Sequence, residues 1–129
     1  MNIVFKSIKG IFLQIAENIY HQILEGTLQP GDRVPSVRDL AAELEVNRNT
    51  VARTYALLSD EGIFENKRGV GYFVSMNALD LLGATERMHF FAEELPQFIQ
   101  KIKILKLTSK DLADLITQLK NNENDENKY

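Results

Sequence analysis

Ser36 to Leu58, SVRDLAAELEVNRNTVARTYALL, decides the fold, because it holds two helix starts with almost nothing between them. Ser36 stands three residues before Asp39 and opens a helix whose apolar face is Val37, Leu40, Ala41 and Leu44. A serine hydroxyl there accepts from N–H groups that the first turn leaves unpaired. Asn47 opens the next helix in the same way, with Thr50 at its third position and Val51, Tyr55 and Leu58 turned inward at steps of four and three. Only Glu45 and Val46 remain for the turn. Two short helices so joined, the second polar at its outer N-terminal end, make a helix-turn-helix, whose second helix enters the DNA major groove. With the inward triad fixed, Asn49, Ala52 and Arg53 point outward and Arg48 lies at the edge.

The flanks extend this core. Upstream, Ile11, Ile15, Ile19, Ile23 and Leu24 recur at helical spacing and Gly26 stops the run, which predicts a first helix over 11–24. Pro30 and Gly31 take the central positions of a type II turn, where glycine supplies the positive φ. Downstream, the third helix ends before Gly62. Ile63–Asn66 and Tyr72–Val74 then read as strands around the turn Lys67-Arg68-Gly69-Val70-Gly71. A hairpin directly after a helix-turn-helix is a wing.

Apolar residues make up 44% and charged residues 26% of the 129, the usage of a folded chain, and the length suits one small domain plus an appendage rather than a large catalytic scaffold. There is no cysteine, hence no disulfide framework and no thiolate metal site, in keeping with a reducing cytoplasm. The longest early apolar run, Ile11-Phe12-Leu13, is too short for an export signal or a membrane span, so the expected location is cytoplasmic, with no membrane partner. The net charge of -3 is spread evenly, 8 Lys and Arg against 9 Asp and Glu through Val74 and 7 against 9 beyond it. Nucleic-acid affinity therefore requires a local cluster, for which Arg38, Arg48, Arg53, Lys67 and Arg68 are the candidates.

The segments LEGTLQPGDRVPSVRDLAAEL, VNRNTVARTYALLSDEGIF and RGVGYFV, in that order and without large gaps, resemble the N-terminal domain of GntR-type transcriptional regulators over 11–74. The resemblance implies a winged helix-turn-helix. It makes Arg38 the arginine of the second helix, Arg48 and Thr50 the DNA contacts at the start of the third with Asn49 between them, and Gly69 and Gly71 the wing residues that let backbone approach the minor groove. Side-chain chemistry agrees: arginine forks onto guanine, asparagine onto adenine, and threonine suits a phosphate or a thymine methyl. Local roles compete at each position, since Arg38 could pair with Asp39 or Glu43, Thr50 could serve the Asn47 cap, and the glycines could serve only the turn. Two positions depart from the family pattern. Ala52 stands where many members carry a further arginine, and Glu45 where glycine is common, so the turn either avoids positive φ or accepts about 1 kcal/mol of strain.

Ser75 to Tyr129 leaves 55 residues, too few for the larger effector domains, and this shortness resembles the two-helix, YtrA-like branch. Leu81, Ala84, Met88, Phe91, Leu95, Phe98, Ile102 and Leu105 recur in steps of three and four, a seam that calls for a partner helix. Met88, Phe91, Leu95, Phe98 and Ile102 are its expected dimer interface. Pro96 removes a helical hydrogen bond and predicts a kink or a break. Thr108 and Asp111 cap a last helix bearing Leu112, Leu115, Ile116 and Leu119, expected to fold back on the preceding one. Asn121 to Tyr129 has little to bury and is expected to fray.

An enzyme has little to build on. His21 and His89 fit no metal-ligand spacing, Glu93 and Glu94 lie beside Lys101 as solvated charge, and Gly69-Val70-Gly71 precedes a strand rather than the helix of a nucleotide loop. No metal or cofactor is expected, and no effector molecule can be named. The reading is a mainly α fold with a small β wing: a winged helix-turn-helix over 1–75, a short C-terminal two-helix dimerisation segment over 76–120, and a disordered polar tail over 121–129. Its expected function is sequence-specific regulation, as a homodimeric repressor on an inverted-repeat operator in double-stranded DNA. The rival is a winged helix used only for protein contacts, for which five cations on one face are unnecessary.

Overall fold

The computed structural model describes residues 10–126, which fall into one unit through Glu86 and a second from Arg87 onward. In the first unit, α1 (Ile11–Glu25) buries Ile15, Ala16, Ile19 and Ile23, whereas Ile11 and Leu24, at the ends of the expected stripe, stay exposed. The Gln29–Asp32 turn closes with an Asp32 N–H to Gln29 carbonyl bond of 3.0 Å and Gly31 at φ 88°. Next, α2 (Val37–Leu44) starts on Ser36, whose hydroxyl accepts from the Asp39 N–H at 3.1 Å. The following helix, α3 (Arg48–Asp60), starts on Asn47, whose side-chain oxygen accepts from the Asn49 N–H at 2.8 Å. Val51, Tyr55 and Leu58 are buried as their spacing requires, and Thr54 joins them.

Glu45 settles the turn between α2 and α3 by accepting the left-handed conformation, at φ 56°. Its N–H donates to the Ala42 carbonyl at 3.3 Å and the Val46 N–H reaches back to the Ala41 carbonyl at 3.0 Å. This crossed pair is the usual end of a helix on a left-handed residue, and it satisfies two carbonyls that α2 would otherwise leave open. Val46 also packs on the core cluster. Together these gains offset the strain of a side chain at positive φ.

The wing is β1 (Phe64–Lys67) against β2 (Gly71–Val74), antiparallel, with Phe64 opposite Val74 and Asn66 opposite Tyr72. A third extended piece, absent from the sequence reading, borders it: Arg33 bridges Phe73, Val34 donates to the Tyr72 carbonyl at 3.0 Å, and Val74 donates to the Asp32 carbonyl at 2.8 Å. Ile63, Phe64 and Val74 thereby complete a core with α1 and α3. The unit does not end at residue 75 as expected. α4 (Ala78–His89) contributes Ala78 and Leu82 to the same core, because the chain turns back after the Ser75 N–H bonds the Ile63 carbonyl at 2.8 Å.

The second unit contains a π-helical turn (Phe90–Glu94), α5 (Leu95–Ile104) and α6 (Ala113–Glu126). The helix neither breaks nor stops at Pro96. The Leu95 N–H bonds the Phe90 carbonyl, five residues back, so the ladder is already widened where the proline arrives without an N–H. That turn holds one extra residue, so a stripe written in steps of three and four is carried round the helix by about 100°. Met88, Phe91 and Phe98 are exposed by 74%, 54% and 46%, Leu95 and Ile102 are half-buried, and among the described residues none after Leu82 is buried. The Thr108–Asp111 box forms, through Thr108 N–H to the Asp111 carboxylate at 2.9 Å and Asp111 N–H to the Thr108 hydroxyl at 3.4 Å. Two expectations fail here. α6 does not pack along α5, and its apolar residues Leu115, Ile116 and Leu119 remain exposed: helical hydrogen bonding is satisfied within each helix without a partner, so nothing local forces the fold-back. It also runs to Glu126, six residues into the segment expected to fray, because helical hydrogen bonding continues without apolar contacts; residues 127–129 of that segment and 1–9 of the first domain lie outside the described residues.

Replacing Glu45 with glycine should stabilise the first unit. Relief of the left-handed side chain contributes roughly 1 to 2 kcal/mol, and the greater freedom of glycine in the unfolded chain takes back about 0.5 to 1 kcal/mol. Thermal unfolding should show a midpoint raised by roughly 2 to 6 °C. A lowered midpoint would mean that the glutamate side chain contributes contacts of its own.

Candidate nucleic-acid interface

Tyr55 fixes which side of α3 faces outward. Its ring meets Phe64 edge-on at 5.1 Å and Tyr72 at 5.0 Å, and its hydroxyl donates to the Pro35 carbonyl at 2.7 Å. Burial, then the neighbouring Tyr72 and Glu43, push its phenol above the usual range, so it stays protonated and a donor. Thr54 is held on the same side: its hydroxyl bonds the Thr50 carbonyl at 3.1 Å and the Phe12 carbonyl of α1 at 2.9 Å. Arg48, Asn49, Ala52 and Arg53 are left exposed, and Thr50 is half-buried.

The competing local roles are mostly unfilled. Among the described residues, Arg38, Arg48 and Arg53 make no ion pair, so Arg38 is not spent on Asp39 or Glu43. The Asn47 side chain caps through Asn49, not through Thr50. Of the three, Arg53 is the one set over an aromatic ring, its guanidinium carbon lying 3.7 Å from the centroid of the Phe12 ring. On the hairpin, Lys67, Arg68 and Gly69 are exposed, and the Lys67 ammonium sits 4.6 Å over the Phe73 ring. Gly69 has φ 78° with open space around it, so its requirement is conformational rather than steric. Gly71, at φ 139°, also lies against the Arg33 guanidinium, where an added Cβ would come within 3.2 Å.

Arg33, Phe12 and Thr54 escaped the sequence reading. Arg33 donates from Nη2 to the Val70 carbonyl at 2.7 Å, tying the wing turn to the strand piece before α2. No local pattern signals a bond across 37 residues. Thr54 was legible, because positions 51, 54, 55 and 58 form one helical face in which threonine is the polar member. Among the described residues no cluster of His, Asp or Glu could hold a metal ion, and His89 merely lies 3.9 Å from Glu94.

A family model for bacterial regulatory proteins of the gntR family matches residues 12–74. The HTH-type transcriptional regulator YhcF of Bacillus subtilis is 36% identical over 110 residues, spanning 85% of this chain and 89% of the relative. The chain belongs to the GntR family. The HTH-type transcriptional repressor YtrA of Bacillus subtilis is similar too, 39% identical over 94 residues, which cover 73% of this chain and 72% of that one. Among solved structures, a GntR family transcriptional regulator from Listeria monocytogenes superposes with a TM-score of 0.70 at 28% identity, over 88% of this chain and 98% of its own. The protein is thus a DNA-binding transcriptional regulator of the YtrA-like kind, not an enzyme, and its fold is the winged helix-turn-helix with a C-terminal helical segment. No helix among the described residues is long and apolar enough to cross a membrane.

As a GntR-family wing, the hairpin depends on Arg33 for its set. Removing one exposed tether to a carbonyl costs about 1 kcal/mol. In Arg33→Ala, amide exchange at Val70 should quicken roughly five-fold, while the amides of Val51, Tyr55 and Leu58 keep their protection. Unchanged exchange at Val70 would show that the backbone pairing alone holds the turn.

Proposed function

We propose that this GntR-family regulator is a repressor that binds an inverted-repeat operator as a homodimer. The observation that carries the reading is the outer face of α3, where Arg48, Asn49 and Arg53 are exposed and free of ion pairs on an asparagine-capped helix start. A helix placed in the major groove reads bases with its N-terminal residues. Arg48 forks onto guanine and Asn49 onto adenine, while Thr50 takes a phosphate or a thymine methyl. Arg38, Arg53, Lys67 and Arg68 contact phosphates, and the Gly69 backbone enters the minor groove. The relative named as a repressor supports the sign of regulation, and operator binding places the protein in the cytoplasm.

Dimerisation follows from the second unit, where an apolar surface this exposed has no core to join in a single chain. Met88, Phe91, Leu95, Phe98 and Ile102 meet their counterparts in a second copy, although the π-helical turn makes their seam a curved path rather than one straight stripe. With a net charge of -3, one half-site contact is weak. Coupling two makes the second contact intramolecular and raises avidity by about 10² to 10⁴. The domain plan becomes a DNA-reading unit through Glu86 and a pairing segment after it.

Selection of duplexes from a random pool should enrich an inverted repeat with half-site centres about 10 base pairs, or a multiple, apart. Arg48→Ala should cost roughly 1 to 3 kcal/mol on that duplex and relax one base position, whereas Lys67→Ala should weaken all sequences alike and flatten the salt slope by about one unit. Equal, sequence-blind losses in both variants would refute base readout through α3 and favour a protein-contact module.

Phe91→Asp tests the pairing. An unpaired carboxylate in the interface should halve the mass seen by light scattering and lower operator affinity by about 10² or more, with the thermal transition of the first unit unchanged. A variant that stays dimeric, or is monomeric with full affinity, would remove the second unit from the DNA-binding reaction.

A further inference from the structure

Arg53 is a cation on the DNA-facing side of α3, and its nearest feature is an aromatic ring from another helix. The guanidinium carbon lies 3.7 Å from the centroid of the Phe12 ring. At that separation the guanidinium is in contact with the ring face, close enough to stack on it. Stacking occupies one face of the guanidinium and leaves its five in-plane donors unused. Among the described residues no carboxylate or carbonyl takes them.

The ring is itself anchored to α3. Phe12 lies in the first turn of α1, half-buried, and its carbonyl accepts a 2.9 Å bond from the hydroxyl of Thr54, which is completely buried. One residue of α3 therefore fixes the backbone of Phe12, and the next residue back lies on its ring. If Phe12 served only the core, its exposed side would meet an apolar residue or water. It meets instead the guanidinium of Arg53, whose hydrogen-bond donors, like those of Arg48, have no partner among the described residues.

We infer that Phe12 is a positioning residue for DNA binding, a platform that holds the Arg53 guanidinium with its donor edge toward a backbone phosphate. The inference rests on the proposed placement of α3 in the major groove and extends the interface to the start of α1. A guanidinium fixed in orientation before contact loses less side-chain freedom on binding, and its flat fork matches two phosphate oxygens. The contact is blind to sequence, so Phe12 sets affinity without choosing bases. Lysine at position 53 cannot reproduce it, because an ammonium has no planar edge to present.

The test is a double-variant cycle on the full chain, titrating the duplex selected from the random pool at several salt concentrations. Phe12→Leu, which keeps apolar bulk but loses the π face, should weaken binding about 2- to 5-fold and lower the slope of log affinity on log salt by up to about one unit. Phe12→Trp should bind like the original chain. In an Arg53→Ala background, Phe12→Leu should change nothing further, and each variant's melting curve reports separately on folding. An equal loss from Phe12→Leu with and without Arg53 would overturn the inference, as would unaltered affinity in Arg53→Ala while Arg48→Ala still relaxes one base position. In that last case groove reading by α3 stands and only the platform falls; if Arg48→Ala too is without effect, the placement of α3 falls with it.

Discussion

A single buried phenol sets the geometry of the DNA-binding unit. Tyr55 is 1% exposed, and from that position it touches the wing through Phe64 and Tyr72 and the chain entering α2 through the Pro35 carbonyl. Three segments distant in sequence are thus referred to one side chain on α3. Aromatic rings in edge-on contact tolerate little rotation, and a buried hydroxyl left without its acceptor is costly. The rotation of α3 about its own axis is consequently fixed, and with it the choice of Arg48, Asn49 and Arg53 as the outward residues.

What could be read from the sequence is what local rules control. Ser36 and Asn47 each precede an apolar periodicity with the right spacing, and both caps form as the chemistry of an unpaired helix start demands. The hairpin was legible because Gly69 and Gly71 punctuate two apolar runs. What escaped depends on partners far along the chain. Arg33 looks like a loop residue until Phe73 and Val70 are placed beside it, and Phe12 lies off the apolar stripe of α1 with no evident role until Arg53 lies on its ring. Ala78 and Leu82 fall inside the segment expected over 76–120, and nothing in their spacing says that they enter the core of the first unit instead.

Pro96 and Glu45 carry a different lesson, about how a backbone resolves a conflict stated openly in its residues. Each poses a problem with two outcomes. At Glu45 the strain is accepted because two crossed hydrogen bonds and the packing of Val46 come with it. At Pro96 the helix continues because the turn before it is already widened. In both places the decisive quantity is the hydrogen bonding of neighbouring residues, which a propensity assigned to the single residue does not contain. The tail is a milder case: Asn121 to Glu126 are helical by continuation of α6, though nothing apolar holds them.

The π-helical turn has a consequence for comparing members of this family. A chain with an ordinary turn at Phe90–Glu94 would need one residue fewer to bring its remaining helix to the same orientation. Alignments through this segment should therefore open a one-residue gap near Pro96, and an ungapped alignment would pair inward positions of one protein with outward positions of another. Substitution patterns compiled across such a mispairing would make a shared contact surface look unselected.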